Sequence, residues 1–261
     1  MSKEVPSSAE VGPLLELSGI TKRFGPVDVL RGIDLKINRA EAIGLIGDNG
    51  AGKSTLVKIL SGVYKQTSGD INFAGQPISL NSPLDARRLG IEMIYQDLAL
   101  CNDLNVASNI FLGQEMQKRV GPFSILDRKK MSISARKVLN DMGAPIEPHL
   151  NVGTLSGGQR QLVAVARGLL FNPKLFLLDE PTAALANEKI RLLLNLIEGL
   201  KQRGVSVLLV SHRFTDLIRV CDRILVLRQG RIVEEILPKE RSPEQSITLM
   251  ERAMSDVQGD D

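Results

Sequence analysis

Aromatic side chains are scarce in this sequence: they make up 3% of its 261 residues, and there is no Trp. Stacking platforms for unpaired bases, which need several rings along a groove, are therefore not expected. Neither sign of charge dominates. The 33 Lys and Arg stand against 30 Asp and Glu, a net charge of +3, without the concentrated basic stripe of a nucleic-acid binder. The two cysteines, Cys101 and Cys221, have no second Cys or His at metal-ligand spacing and read as reduced thiols. Long apolar runs are missing too. The longest, such as VSVLLV from Val205 to Val210, have the length of a strand and not of a bilayer span. The first residues, MSKEVPSSAEVGP, lack the apolar stretch of a secretory signal. The expectation is a soluble intracellular chain that reaches a membrane only through another protein.

What is present is enough apolar material, 43% of residues, for a sizeable core. Its pattern alternates. LLELSGITKRF, VLRGIDLKI and EAIGLIG read as strands, GKSTLVKILSG as a helix closed by Gly62, and GDINFAG as a further strand. NSPLDARRLG carries helix signals throughout: Ser82 as N-cap, Pro83 in the first turn and Gly90 as the stop. IEMIYQ follows as a strand. From about 97 to 154 the sequence reads as mostly helical, with one helix running from a capping Asp127 to Gly143. Strands and helices then alternate again through LFLLDE, NEKIRLLLNLIEGLKQRG, VSVLLVSH and FTDLIRVC, ending in a hairpin around Gln229-Gly230. Apolar strands alternating with helices predict a mostly parallel sheet covered on both faces, with 97–154 as a helical insertion. Residues 1–12 and 241–261 read as tails around a domain spanning 13–240.

Two stretches carry a specific chemistry. Gly47, Asp48, Asn49, Gly50, Ala51, Gly52, Lys53, Ser54 and Thr55 fit the phosphate-loop pattern G-x-x-x-x-G-K-[ST] between a strand and a helix. Glycines there let the backbone curl so that amides point at phosphate oxygens, Lys53 brings a positive charge to the outer phosphates, and Ser54 can ligate Mg²⁺. LFLLDEP ends an apolar strand in Asp179 and Glu180. Carboxylates at the carboxyl end of a parallel strand face the crevice where such sheets bind ligands. Asp179 is then a Mg²⁺ ligand through water, and Glu180 a general base for an attacking water. Alone, the acidic pair would read as a solvated strand end.

A third stretch, LSGGQRQ, has Ser156 and Gln159 at capping-box spacing, with Gly157 and Gly158 leaving the first-turn amides of a helix bare. On these residues alone an ordinary capped helix suffices. In combination with the phosphate loop, LFLLDEP, a Gln in IYQD and a His in LLVSH, in this order, the chain resembles the ATPase subunit of ABC transporters from about residue 14 to 237.

The resemblance implies the P-loop ATPase fold of that family, with an N-terminal antiparallel β subdomain and an inserted helical subdomain. It implies ATP and Mg²⁺ as cofactors and a head-to-tail homodimer, in which Ser156, Gly157, Gly158 and Gln159 cap the γ-phosphate of the ATP held by the other copy. Phe24 matches the aromatic that stacks on adenine, although by local pattern it could be a core residue. Gln96 matches the glutamine that contacts Mg²⁺ and water and links nucleotide state to the membrane partner; without the family it is a surface glutamine. His212 matches the histidine that contacts γ-phosphate. Together, Lys53, Gln96, Glu180 and His212 form the expected catalytic set, and Ser54, Gln96 and Asp179 the metal set. His149 reads as structural or exposed, and Asp222 and Arg223 have no legible role. One position departs from the commonest pattern: Ala186 stands where many members have Asp, an acid that helps couple the two ATP sites.

Within the family, ILSGVYKQTSGDI, MIYQDLAL and NVASNIFLGQE are most similar to ATPases of ribose, xylose and fructose importers. Relatives of that type often carry two cassettes in tandem. The implied partners are a membrane permease docked at the helical insert and, indirectly, an external sugar-binding protein, with the ATPase peripheral on the cytoplasmic face of the membrane and no nucleic acid bound. An ATPase acting on ribosomes or DNA, one serving a non-sugar transporter, and a non-hydrolysing regulatory cassette are the competing readings.

Overall fold

The computed structural model describes residues 12–95, 97–182 and 185–255. Strands β1 (Leu15–Phe24) and β2 (Val27–Ile37) form a long antiparallel pair, and β3 (Ala42–Ile46) then runs into helix α1 (Lys53–Leu60). Next come β4 (Ser68–Phe73), β5 (Gln76–Ile78), α2 (Pro83–Leu89) and β6 (Ile91–Ile94). The insertion holds α3 (Val106–Ile110), β7 (Gln117–Val120), β8 (Phe123–Leu126) and α4 (Arg128–Asp141). After it follow α5 (Gly157–Leu169), β9 (Leu175–Asp179), α6 (Asn187–Gln202), β10 (Ser206–Val210), α7 (Phe214–Val220), β11 (Arg223–Arg228), β12 (Arg231–Ile236) and α8 (Pro243–Met254).

The central sheet has six strands in the order β12-β11-β3-β10-β9-β6, parallel except for the β11–β12 hairpin. A four-stranded antiparallel sheet, β2-β1-β4-β5, lies against it. The pleat sorts the apolar side chains of the central strands into two cores. Leu175, Leu177, Leu208, Val210, Leu225 and Leu227 pack with α1 and the antiparallel sheet. Phe176, Leu178, Val207, Leu209, Ile224 and Val226 pack with the helices on the other side. Burial on both faces is why these strands read as continuous apolar runs.

The expected α/β fold with its antiparallel β subdomain is present. Two expectations change. The insertion is less helical than its sequence suggested: it holds the short α3 and a β7–β8 hairpin before α4, whose N-cap Asp127 accepts the Lys130 N–H at 3.0 Å as expected. The residues read as a C-terminal tail include α8. Ser242 and Gln245 form a capping box at its start, and its buried Met250 joins the core beside β11 and β12.

Asp222 and Arg223 acquire a structural role at the start of β11. The Asp222 carboxylate accepts the Ala42 N–H at 2.9 Å and pairs with Lys201 at 2.7 Å and with Lys239. Arg223 pairs with Glu41 at 2.6 Å and Glu235 at 3.0 Å. These bonds tie β3, β11, β12 and the end of α6 together at one edge of the sheet.

Candidate functional site

The phosphate loop joins β3 to α1, and its glycines are demanded by close approach. A Cβ on Gly47 would lie 2.0 Å from the Leu227 carbonyl oxygen, and Gly52 holds φ 110° with the Val29 carbonyl 3.1 Å from where a Cβ would stand. Gly52 is also the N-cap of α1 and supplies no side-chain acceptor, so the first-turn amides stay open to a ligand. Lys53 opens that helix. Its ammonium donates to the Gly47 carbonyl at 2.6 Å and the Asp48 carbonyl at 3.0 Å, with the residue only 7% exposed. Burial lowers its pKa, while the charges of Glu180, Asp179 and Asp48 oppose that shift.

Asp179 and Glu180 arrive at the carboxyl end of β9. Burial raises the Asp179 pKa, against the pull of the Ser54 hydroxyl hydrogen-bonded to its carboxyl. Glu180 sits in the left-handed region at φ 50°, anchored by its N–H to the Val210 carbonyl at 3.0 Å. That kink separates two adjacent carboxylates in role: Asp179 meets Ser54, and Glu180 turns to His212. The His212 Nε2, after β10, lies 2.7 Å from Glu180 Oε1. Asn49, Gly50, Gly52, Lys53, Ser54 and Thr55 line one cavity of about 700 Å³ together with Glu180 and His212. Val29 of β2 completes the lining; nothing in its sequence context distinguished it from the other apolar residues of its strand.

The remaining expected site residues fall elsewhere. Phe24 ends β1 and is 41% exposed, so it is not a core residue. It meets Tyr64 edge to face at 5.3 Å and lies 4.8 Å from the Lys22 ammonium, in a small aromatic and cationic cluster beyond the cavity lining. Tyr64 was not singled out in the sequence, although it is one of two tyrosines. The Ser156–Gln159 capping box forms, with Ser156 Oγ accepting the Gln159 N–H at 3.3 Å and Gln159 Oε1 accepting the Ser156 N–H at 2.9 Å. Space around Gly157 is open: a Cβ there would meet nothing within 4 Å. This helix start is not part of the cavity lining of its own chain. Gln96 lies outside the described residues.

A phosphate loop, an acidic strand end and a separate bare helix start define a nucleotide-binding cassette, and the family model described as "ABC transporter" matches residues 30–183. The chain belongs to the ABC transporter family. It is 44% identical over 238 residues to a xylose/arabinose import ATP-binding protein of Sulfolobus acidocaldarius, covering 91% of this chain and 93% of the other. A fructose import ATP-binding protein of Rhizobium meliloti is 42% identical, with 91% of this chain and 94% of the relative covered. A ribose import ATP-binding protein of Rubrobacter xylanophilus is 41% identical, and there the chain spans 44% of the relative's length. Among solved structures, a nucleotide-free ATP-binding cassette from an ABC transporter superposes with a TM-score of 0.81 at 25% identity, covering 95% of this chain and 100% of the other. A dimeric cassette in a post-hydrolysis state, bound to ADP and Pi, gives 0.72 at 26% identity over 86% of this chain and 98% of that one.

Proposed function

We propose that this chain is the ATP-hydrolysing subunit of an importer for a monosaccharide, working as a homodimer beneath a membrane permease. The observation that carries this reading is the convergence of Lys53, Ser54, Glu180 and His212 on one cavity from which Ser156–Gln159 is absent. A site so divided needs a second copy to supply the missing helix start. The monosaccharide comes from the xylose/arabinose, fructose and ribose import relatives. Among the described residues no helix is long and apolar enough to cross a membrane.

Lys53 and the open amides of α1 hold the β- and γ-phosphates. On nucleotide entry the Lys53 ammonium exchanges its two loop carbonyls for phosphate oxygens. The hydroxyl of Ser54 and the carboxylate of Asp179 are hard oxygen donors placed together, the pair that would hold Mg²⁺, which when bound neutralises phosphate charge. Glu180 accepts the proton of the attacking water. His212 fixes the Glu180 carboxylate and reaches the γ-phosphate from the far side. The partner's Ser156–Gln159 closes over that phosphate, so dimer closure and hydrolysis are one cycle, and the permease moves with it. Phe24 and Tyr64 offer the aromatic surface for the base, and Gln96 is the link to the permease.

Purification of the tagged chain from solubilised membranes tests the role. A multi-span permease in stoichiometric amount, with ATPase activity lost in Lys53→Ala, is the expected result. Ribosomes or DNA-repair proteins in its place would overturn the transport reading and leave the ATPase.

A further inference from the structure

The β7–β8 hairpin projects from the insertion with an apolar face that has no core beneath it. Opposite residues of an antiparallel pair point to the same side. The pairs Lys118↔Ile125 and Val120↔Phe123 therefore share one face, and Gln117, Arg119, Ser124 and Leu126 share the other. On the first face Val120 is 52% exposed, Phe123 70% and Ile125 44%. Phe123 follows the Gly121-Pro122 tip. A two-stranded hairpin is marginal in water without something to cover it.

The charge around this face is one-sided. Lys118, Arg119, Arg128, Lys129 and Lys130 are all exposed. Among the described residues none of the five has a carboxylate partner. Of the two acids nearby, Asp127 caps α4 and Glu115, at the base of the hairpin, accepts the Gly113 N–H at 3.0 Å.

We propose that this hairpin and the first turn of α4 dock on an anionic lipid surface, with Phe123, Val120 and Ile125 entering the headgroup boundary, Lys118 beside them, and the cations at the start of α4 reaching the phosphates. Exposed apolar tips flanked by Lys and Arg are the composition of interfacial anchors, and each cation near an anionic leaflet adds to binding. A permease loop is the poorer fit. Cytoplasmic loops of membrane proteins are themselves enriched in Lys and Arg, so the hairpin would meet like charge there. The contact is independent of the ATP site, and its failure leaves the ATPase reading untouched.

The test uses the full chain with two kinds of vesicle, phosphatidylcholine alone and equal parts phosphatidylcholine and phosphatidylglycerol. Co-sedimentation is expected with the second only, weakening as salt rises. Lys129→Gln and Lys130→Gln should each weaken it about fivefold, and Val120→Ser with Phe123→Ser should abolish it. All these side chains are exposed, so ATP hydrolysis in solution should be unchanged, which also reports intact folding. Because the chain has no Trp, Phe123→Trp gives a single indole fluorophore whose emission should shift to the blue on anionic vesicles. No sedimentation with anionic vesicles overturns the proposal. So does an unshifted indole emission from the Phe123→Trp variant, or binding through these residues to detergent-purified permease with none to lipid.

Discussion

Glu180 holds its backbone at φ 50°, a conformation that disfavours most side chains, and directs its carboxylate to His212. The kink is what separates Glu180 from Asp179. Glu180→Gln preserves shape while removing the carboxylate proposed as the base. Turnover should fall on the order of 10²–10⁴-fold with ATP binding retained and dimer trapped, measured by single-turnover hydrolysis and gel filtration. Unchanged hydrolysis would remove Glu180 from this role. A packing residue gives a second outcome. At Gly168 an added Cβ would stand 2.8 Å from Phe176 Cε2 and 3.1 Å from Ile94 Cδ1, inside the core between α5 and the sheet. Helix propensity favours Ala by about 1 kcal/mol, but overpacking costs about 1–3 kcal/mol. Gly168→Ala should therefore lose stability, by about 1 kcal/mol in denaturant titration. At this scale the phosphate loop and the acidic pair were legible because their chemistry is local in sequence. The His212–Glu180 contact and the Val29 wall were not, since both arise from strands that meet only in the folded sheet.

Helix α6 begins without a cap. Ala186 is its N-cap residue, has extended backbone angles and offers no side-chain acceptor to the first-turn amides. The missing Asp is thus a loss to the helix as well as a departure from the family pattern. Ala186→Asp should stabilise the protein by about 1 kcal/mol and raise the melting temperature by about 2–4 °C. Steady-state hydrolysis should stay of the same order; a large gain would mean that Ala186 throttles the site. Most element starts are legible in the sequence. Ser82, Asp127 and Ser156 cap the helices whose starts they mark. The β7–β8 hairpin is not legible, because strands of four residues, exposed throughout, are too short for their alternation to stand out. Helix α8 differs from the tail expected there, although Ser242, Pro243 and Gln245 carry the same start signals as Ser82 and Ser156.

Across the whole molecule, the edge clamp at Asp222 and Arg223 joins segments far apart in the chain. Burial alone would raise the Asp222 pKa, but hydrogen bonds from Lys201, Lys239 and the Ala42 amide outweigh it and hold the carboxyl below its ordinary range. A depressed folded pKa stabilises the native state fully above the unfolded value, about 3.9. That stabilisation is lost as the pH falls through the lower folded value. Asp222→Asn should therefore be less stable than the parent at neutral pH, with the difference shrinking below about pH 4, as denaturant midpoints across a pH series would record. Such long-range ties are illegible in the sequence, where Asp222 and Arg223 look like any charged pair before a strand.

One such tie reaches the phosphate loop. The Gly230 N–H donates to the Ala51 carbonyl at 3.0 Å, the Arg31 N–H donates to the Gly230 carbonyl at 2.8 Å, and a Cβ on Gly230 would lie 2.4 Å from the Val29 carbonyl. The loop is thus closed by a turn made late in synthesis. A nascent chain on the ribosome carries the whole phosphate-binding motif long before it carries Gly230, and in that interval the loop lacks its lock. The native contacts of the phosphate loop are therefore complete only once the β11–β12 hairpin has been made.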